Sequence, residues 1–175
     1  MKITGGELRG RGYKAPRTSA VRPMTEKERS ALFDILGPIE GAHLLDAYAG
    51  SGGLGLEALS RGAADVVGIE VSRVAAATIH DNLKVLGLTH KYRLEQMRVE
   101  DWVGPKTYFD VILAAPPFAV ISQTALEHLT SSLADSGVMV VSHTSQIEPL
   151  ALKSLELVKS KRYGNAALSF YKPAN

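Results

Sequence analysis

The sequence predicts an α/β fold in which a mainly parallel sheet is covered by helices on both faces and finished by an antiparallel C-terminal hairpin. Three observations carry that reading. From His43 onward, short apolar runs alternate with amphipathic stretches, the pattern of doubly buried strands joined by crossover helices. A glycine turn lies between the first such strand and the first such helix. Near the C-terminus, two strand-like runs flank Gly164-Asn165 with almost no room for a crossover, so they should pair antiparallel.

The elements follow in chain order. Lys2 to Pro16 carries Gly6, Gly10 and Gly12 among Arg9, Arg11 and Lys14, which suits a short basic hairpin or arm. Thr25 to Leu36 is expected to be helical, with Thr25 and Glu28 as a capping box, Ala31, Leu32, Ile35 and Leu36 as an apolar face, and Gly37-Pro38 as the stop. Strands are expected at His43 to Ala47, Val66 to Glu70, Phe109 to Ala114 and Val138 to Ser142, with helices at Leu54 to Arg61, Ser72 to Leu86 and Ile121 to Leu133. Tyr92 to Met97 is a further strand candidate, and Leu155 to Tyr163 with Ala166 to Tyr171 forms the hairpin. Residues 1–24 are thus an N-terminal arm and residues 25–175 one folded unit.

Composition narrows the class. The 175 residues suffice for about one domain at ~150 residues each. Hydrophobic residues at 45% and charged residues at 22% mark a globular chain rather than a disordered one. No run approaches the ~18 to 20 apolar residues of a membrane span, and no apolar segment follows Met1-Lys2 as in a secretory signal, so the expected location is the cytoplasm. The absence of cysteine excludes disulfides, thiolate metal sites and a cysteine nucleophile. Charge is unevenly distributed: residues 1–30 carry a local +5 and residues 148–175 a local +3, whereas residues 31–147 carry −6. Such asymmetry suggests that the two ends face a polyanion.

The segment LLDAYAGSGGLGLEALSRG, residues 44–62, is the most informative. Gly50, Gly52 and Gly55 satisfy G-x-G-x-x-G, and Glu70 ends the next strand twenty positions after Gly50. Glycines let the backbone approach a ligand closely, and a carboxylate at the second strand's end can accept both hydroxyls of a ribose. A nucleotide-type ligand is implied. Dinucleotides and S-adenosylmethionine share that geometry, and Asp46 separates them: its carboxylate would repel a pyrophosphate yet attract the ammonium of a methionine moiety. The expected cofactor is therefore S-adenosylmethionine. Asp101 is a candidate to accept from the adenine amine, with Trp102 beside the ring.

A second segment, FDVILAAPPFAV at 109–120, places Ala115-Pro116-Pro117-Phe118 after a buried strand. Two prolines fix the backbone at the carboxyl end of that strand, where open α/β sheets bind ligands, and Phe118 offers a flat face for stacking a base.

Together, GGELRGRGYKAP (5–16), RPMTEKERSALFDIL (22–36), LLDAYAGSGGLGLEALSRGA (44–63), Ala115-Pro116-Pro117-Phe118 and KRYGNAALSFYK (161–172) resemble the RsmD family of bacterial 16S ribosomal RNA guanine-N2 methyltransferases. The resemblance covers essentially the whole chain. It implies a Rossmann-like class I fold and methyl transfer from S-adenosylmethionine to the exocyclic amine of a guanine in small-subunit ribosomal RNA or the assembled subunit. Arg9, Arg11, Lys14 and Arg22 are the candidate RNA contacts, and the catalytic segment is Ala115 to Phe118. There the chain departs from the family, which usually has Asp or Asn where this chain has Ala115, so the acceptor side chain is missing. Met24 also replaces a usual Thr, and Glu26-Lys27-Glu28 stands where Asp-Arg-Val is common.

Five histidines show no metal-binding spacing, so no metal is expected. No G-x-S-x-G elbow supports a hydrolase. Two rivals remain at this level: a nucleotide-dependent oxidoreductase, opposed by Asp46 and the Pro-Pro-Phe segment, and a non-catalytic homologue that binds cofactor and RNA during ribosome assembly, supported by Ala115.

Overall fold

The computed structural model describes residues 1–17 and 23–174. Its strands are β1 (His43–Ala47), β2 (Asp65–Ile69), β3 (Tyr92–Glu95), β4 (Phe109–Ala114), β5 (Leu133–Thr144), β6 (Leu155–Tyr163) and β7 (Ala166–Pro173), and its α-helices are α1 (Glu26–Leu36), α2 (Gly53–Ser60), α3 (Arg73–Leu86) and α4 (Gln123–Thr130). The strands form one sheet in the order β3-β2-β1-β4-β5-β7-β6. β1 to β5 run parallel, and β7 is antiparallel to both β5 and β6. One transverse row crosses all seven strands: Glu95, Ile69, Ala47, Ala114, Val141, Ser169 and Ser160. It marks the carboxyl edge of the parallel strands.

The strands' apolar residues divide by period-two alternation. Leu44, Val66, Val111, Leu113, Val140 and Leu168 pack on α1, α2 and α3. Leu45, Ile112, Met139, Val141 and Tyr171 pack on α4 and on the segment around Trp102. Both faces are therefore covered, as the continuous apolar runs require. Among the described residues, no helix is long and apolar enough to cross a membrane.

The local signals act as expected at α1, where the Thr25 hydroxyl accepts from Glu28 N and the Glu28 carboxylate accepts from Thr25 N. Its buried face differs from expectation. Arg29, Leu32 and Phe33 are the buried positions, while Ala31, Ile35 and Leu36 are only partly covered. The end of α4 also differs. The helix expected to reach Leu133 stops at Thr130, because Leu133 already pairs with Phe109 at the start of β5, five residues before the expected Val138. The register then jumps so that Val111 faces Val138, and Asp135-Ser136-Gly137 bulges within the strand. The second strand lies one residue earlier than expected, leaving Glu70 just beyond its end.

The N-terminal segment folds back on itself. Lys2 and Gly12 bridge antiparallel, Ile3 N donates to Arg11 O at 3.0 Å, and Tyr13 N donates to Met1 O at 2.9 Å. Its Ile3 and Tyr13 side chains enter the same core as α1 to α3.

Candidate active site

The turn from β1 into α2 begins at Tyr48, whose φ of 65° places a non-glycine residue in the left-handed region. Gly50 and Gly52 follow with φ of 56° and 74°, a conformation that glycine adopts without steric cost, and Gly52 is the N-cap of α2. The bare turn is held from the side by Glu70. One of its oxygens accepts from Gly50 N and the other from Ser72 N, each at 2.7 Å. Glu70 therefore ties the turn to the start of α3, and each carboxylate oxygen has capacity for a further donor.

Asp46 faces inward. It is fully buried; its Oδ2 accepts from Gly55 N at 2.9 Å and from the Tyr92 hydroxyl at 3.3 Å, while its Oδ1 is buried without a partner. Burial pushes its carboxyl up to about 7, against the lowering effect of the Gly55 and Tyr92 bonds. The carboxylate expected to meet a methionine ammonium thus braces the first turn of α2 from below. Gly55 serves the same packing. A Cβ there would meet Tyr92 Cε2 at 2.4 Å and Val66 Cγ1 at 3.0 Å. The third glycine of the motif is accordingly a point of close helix-to-sheet approach.

Beyond β4, Ala115 N donates to Ala47 O at 3.3 Å, which carries the sheet's pairing one residue past the transverse row. Pro116 is buried, Pro117 is exposed, and Phe118 is 37% exposed at the start of a short 3₁₀ turn (Phe118–Val120). Ala115 lines a cleft whose other walls are the Tyr48 to Leu54 turn, Met24, Arg29 and Met1. The structure therefore brings the glycine turn and the Ala115 segment together, with the N-terminal hairpin and the start of α1 closing the third side.

That third side is fixed by a buried charge network absent from the sequence reading. Arg29 of α1 and Glu57 of α2 meet at 3.1 Å, and Glu57 also accepts from Thr4 N, Thr4 Oγ1 and Arg61 Nε. Arg29 donates in addition to Lys2 O. Burial alone would raise the Glu57 carboxyl, but the bonds from Thr4, Arg61 and Arg29 more than offset it and hold the group below its ordinary value. Asn82 of α3 makes a second clamp: it accepts from Lys14 N and donates to Lys14 O, both at 2.9 Å. Arg29, Glu57 and Asn82 are polar residues on otherwise buried helix faces. The signal that could have found them is the apolar residue one turn away: Leu32 and Phe33 for Arg29, Leu54 for Glu57, and Ile79 and Leu86 for Asn82.

The remaining expected residues are more dispersed. Asp101 is exposed at the end of a 3₁₀ turn (Val99–Asp101). Trp102 is 5% exposed, with its ring tilted against Phe109 at 6.1 Å and its carbonyl accepting from His128 Nε2 at 2.6 Å. Its indole is thus a core group, because the apolar face between α4 and the sheet covers it. Arg9, Arg11 and Lys14 are exposed on the hairpin. Arg22 lies outside the described residues. Among the described residues, no group of three or more His, Cys, Asp or Glu is placed to hold a metal.

A seven-stranded sheet with a reversed last strand, carrying a glycine turn and an acidic residue at the ends of adjacent strands, defines a Rossmann-like methyltransferase. The same fold occurs in the solved ribosomal protein L11 methylase of Lactobacillus delbrueckii subsp. bulgaricus (TM-score 0.72, 20% identity, covering 85% of this chain and 78% of that one). The chain belongs to the RsmD family: the family profile described as Conserved hypothetical protein 95 matches residues 1–172. It is 31% identical over 179 residues to the ribosomal RNA small subunit methyltransferase D of Escherichia coli K12, covering 98% of this chain and 89% of the relative. It superposes on the solved yhhF protein of Escherichia coli with a TM-score of 0.86 at 31% identity, covering 99% and 97% of the two chains.

Proposed function

We propose that this chain transfers a methyl group from S-adenosylmethionine to the exocyclic N2 amine of a guanine in small-subunit ribosomal RNA, in the cytoplasm. The observation that carries the reading is the shared cleft, in which the glycine turn and Ala115 face each other beside the N-terminal hairpin. The residues present fit the cofactor. The turn is bare at Gly50 and Gly52, and Glu70 offers one free lone pair on each oxygen after binding Gly50 and Ser72.

When bound, S-adenosylmethionine supplies an electrophilic methyl group on a sulfonium. Glu70 would hold the ribose hydroxyls, and the glycine turn would hold the methionine part. Asp46 positions that turn through Gly55. On the acceptor side, Phe118 offers its exposed ring for stacking the displaced guanine. The lone pair of guanine N2 is delocalised into the ring, so positioning and acceptors aimed at the developing positive charge supply most of the rate. Ala115 has no side-chain acceptor, leaving that task to backbone carbonyls at Ala115 and Pro116.

The test combines binding with turnover. Calorimetry should detect S-adenosylhomocysteine binding, and radiolabelled methyl should enter unmethylated small subunits at a guanine N2 mapped by mass spectrometry. Failure to bind the cofactor product would remove the methyltransferase mechanism, and label on another atom would remove the guanine-N2 assignment.

A further inference from the structure

We propose that Lys159, Lys161 and Arg162, at one corner of edge strand β6, form a phosphate-binding rail for the RNA strand that flanks the target nucleotide. The proposal rests on the ribosomal RNA reading above and adds a second contact surface to it.

Register places the rail. The transverse row through Ala47 and Ala114 ends at Ser160 on β6. The next row joins Ser142, Leu168 and Lys161, and the one beyond joins His143, Ala167 and Arg162. Lys161 is therefore level with Ala115, the first residue past the row on β4, and Arg162 stands one residue further out. From β4 to β6 there are three strand spacings of ~4.8 Å, or about 14 Å across the sheet. At ~3.4 Å of rise per nucleotide, this is the span of about four nucleotides.

The three cations are exposed, and none is consumed by a strong internal pair. Arg162 reaches Glu148 at 3.3 Å with the two side chains 64% and 87% exposed, an arrangement worth little in water. Lys161 Nζ stands 5.8 Å from the centroid of the Tyr163 ring. The corner is fixed: Ser145 donates from its N and Oγ to Asn165 O and Gly164 O at 3.0 and 2.9 Å. Lys159 and Lys161 share one face of the strand and Arg162 leaves from the other, so two cations line that face and the third flanks them at the corner, on a backbone already ordered before binding.

The rail also accounts for the charge distribution. The basic C-terminal segment reaches the carboxyl edge of the sheet at β6, and the basic N-terminal segment reaches it through Met1 in the cleft, while its loop packs on Ser60 at the far end of α2. The other partner open to an edge strand is a further strand. Against that, the ladder of β6 is interrupted between Leu157 and Lys159, and edge lysines disfavour strand addition. Phosphate is the partner that fits.

The experiment compares the full chain with Lys159→Gln/Lys161→Gln/Arg162→Gln and with a control, Lys91→Gln, at the opposite end of the sheet beside the start of β3. Filter binding to unmethylated small subunits is measured across a salt series. The triple variant should bind more weakly, with its log–log salt slope shallower by about 0.7 to 0.9 for every phosphate no longer neutralised, while the control keeps the parent slope and calorimetric binding of S-adenosylhomocysteine stays unchanged in both. A triple variant with the parent slope overturns the rail. If that variant also dimerises in sedimentation, the cations protect the edge instead. Should the parent chain bind subunits without salt dependence and transfer no methyl, both the rail and the ribosomal RNA reading fall; a steep parent slope retained by the variant removes the rail alone.

Discussion

Arg29 and Glu57, 28 residues apart in sequence, meet at 3.1 Å with side chains 1% and 0% exposed, and this ion pair joins α1, α2 and the N-terminal hairpin. Glu57→Gln should destabilise the protein by roughly 3–5 kcal/mol, because it leaves the Arg29 guanidinium buried without its counter-charge. Urea unfolding measures the loss. Arg29→Gln combined with Glu57→Gln should cost less than the sum of the single changes, and strict additivity would show the pair to be uncoupled.

Asp46 supplies a pH dependence. Its carboxyl is pushed up to about 7 by burial, so the folded state holds a proton that the unfolded chain releases at ~4. That contribution to stability is fully present below the unfolded value and is lost as pH rises through the folded one. Asp46→Asn cannot ionise. It should therefore show a flatter melting temperature across this window and a gain over the parent above it, as read by calorimetric melting. Parallel profiles for the two proteins would mean that Asp46 stays ionised throughout.

Glu70 ties the glycine turn to the start of α3, and on the proposed function it also holds the ribose. Glu70→Ala should weaken S-adenosylhomocysteine binding by roughly 1.5–3 kcal/mol through the loss of charged hydrogen bonds, in addition to freeing Gly50 N and Ser72 N. Titration calorimetry reads the change; undiminished affinity would place the ribose elsewhere.

On the proposed function, the hairpin cations act on RNA rather than on the cofactor. Neutralising Arg9, Arg11 and Lys14, all exposed, should reduce the salt slope of subunit binding by about 0.7 to 0.9 for each phosphate that they engage. An unchanged slope would leave them as solvated surface.

Ala115 lines the cleft without a side-chain acceptor. Ala115→Asp or Ala115→Asn should raise methyl transfer by roughly 10²- to 10³-fold, or about 3–4 kcal/mol in the barrier, with cofactor affinity largely unchanged. Turnover of radiolabelled cofactor measures it. No gain in either variant would show that the backbone carbonyls already suffice.

The sheet was legible because its strands are apolar on consecutive residues, and α1 because Thr25 and Glu28 announce its start. The glycine turn and Glu70 were legible through spacing alone. What escaped were residues whose chemistry contradicts their place. Arg29 and Glu57 carried no assigned role until tertiary packing brings them together, and the bond from Gly55 N to Asp46 was hidden because sequence does not show which way a carboxylate turns at a strand end. The start of β5 was hidden by Asp135-Ser136-Gly137, a turn-like triplet that the strand absorbs as a bulge.

Tyr92 occupies a socket made by two absent side chains, since a Cβ on Gly55 would meet its ring at 2.4 Å and one on Gly68 would meet its hydroxyl at 2.2 Å. From that socket its hydroxyl donates to Asp46. Positions 46, 55, 68 and 92 therefore form a single packing unit. A lineage that enlarges either glycine must shrink residue 92, and by doing so withdraws a donor from the carboxylate that braces the turn. In this fold, a spacing usually taken as the imprint of a nucleotide is also the mould of a tyrosine, and a search for sequence covariation should find the second imprint as readily as the first.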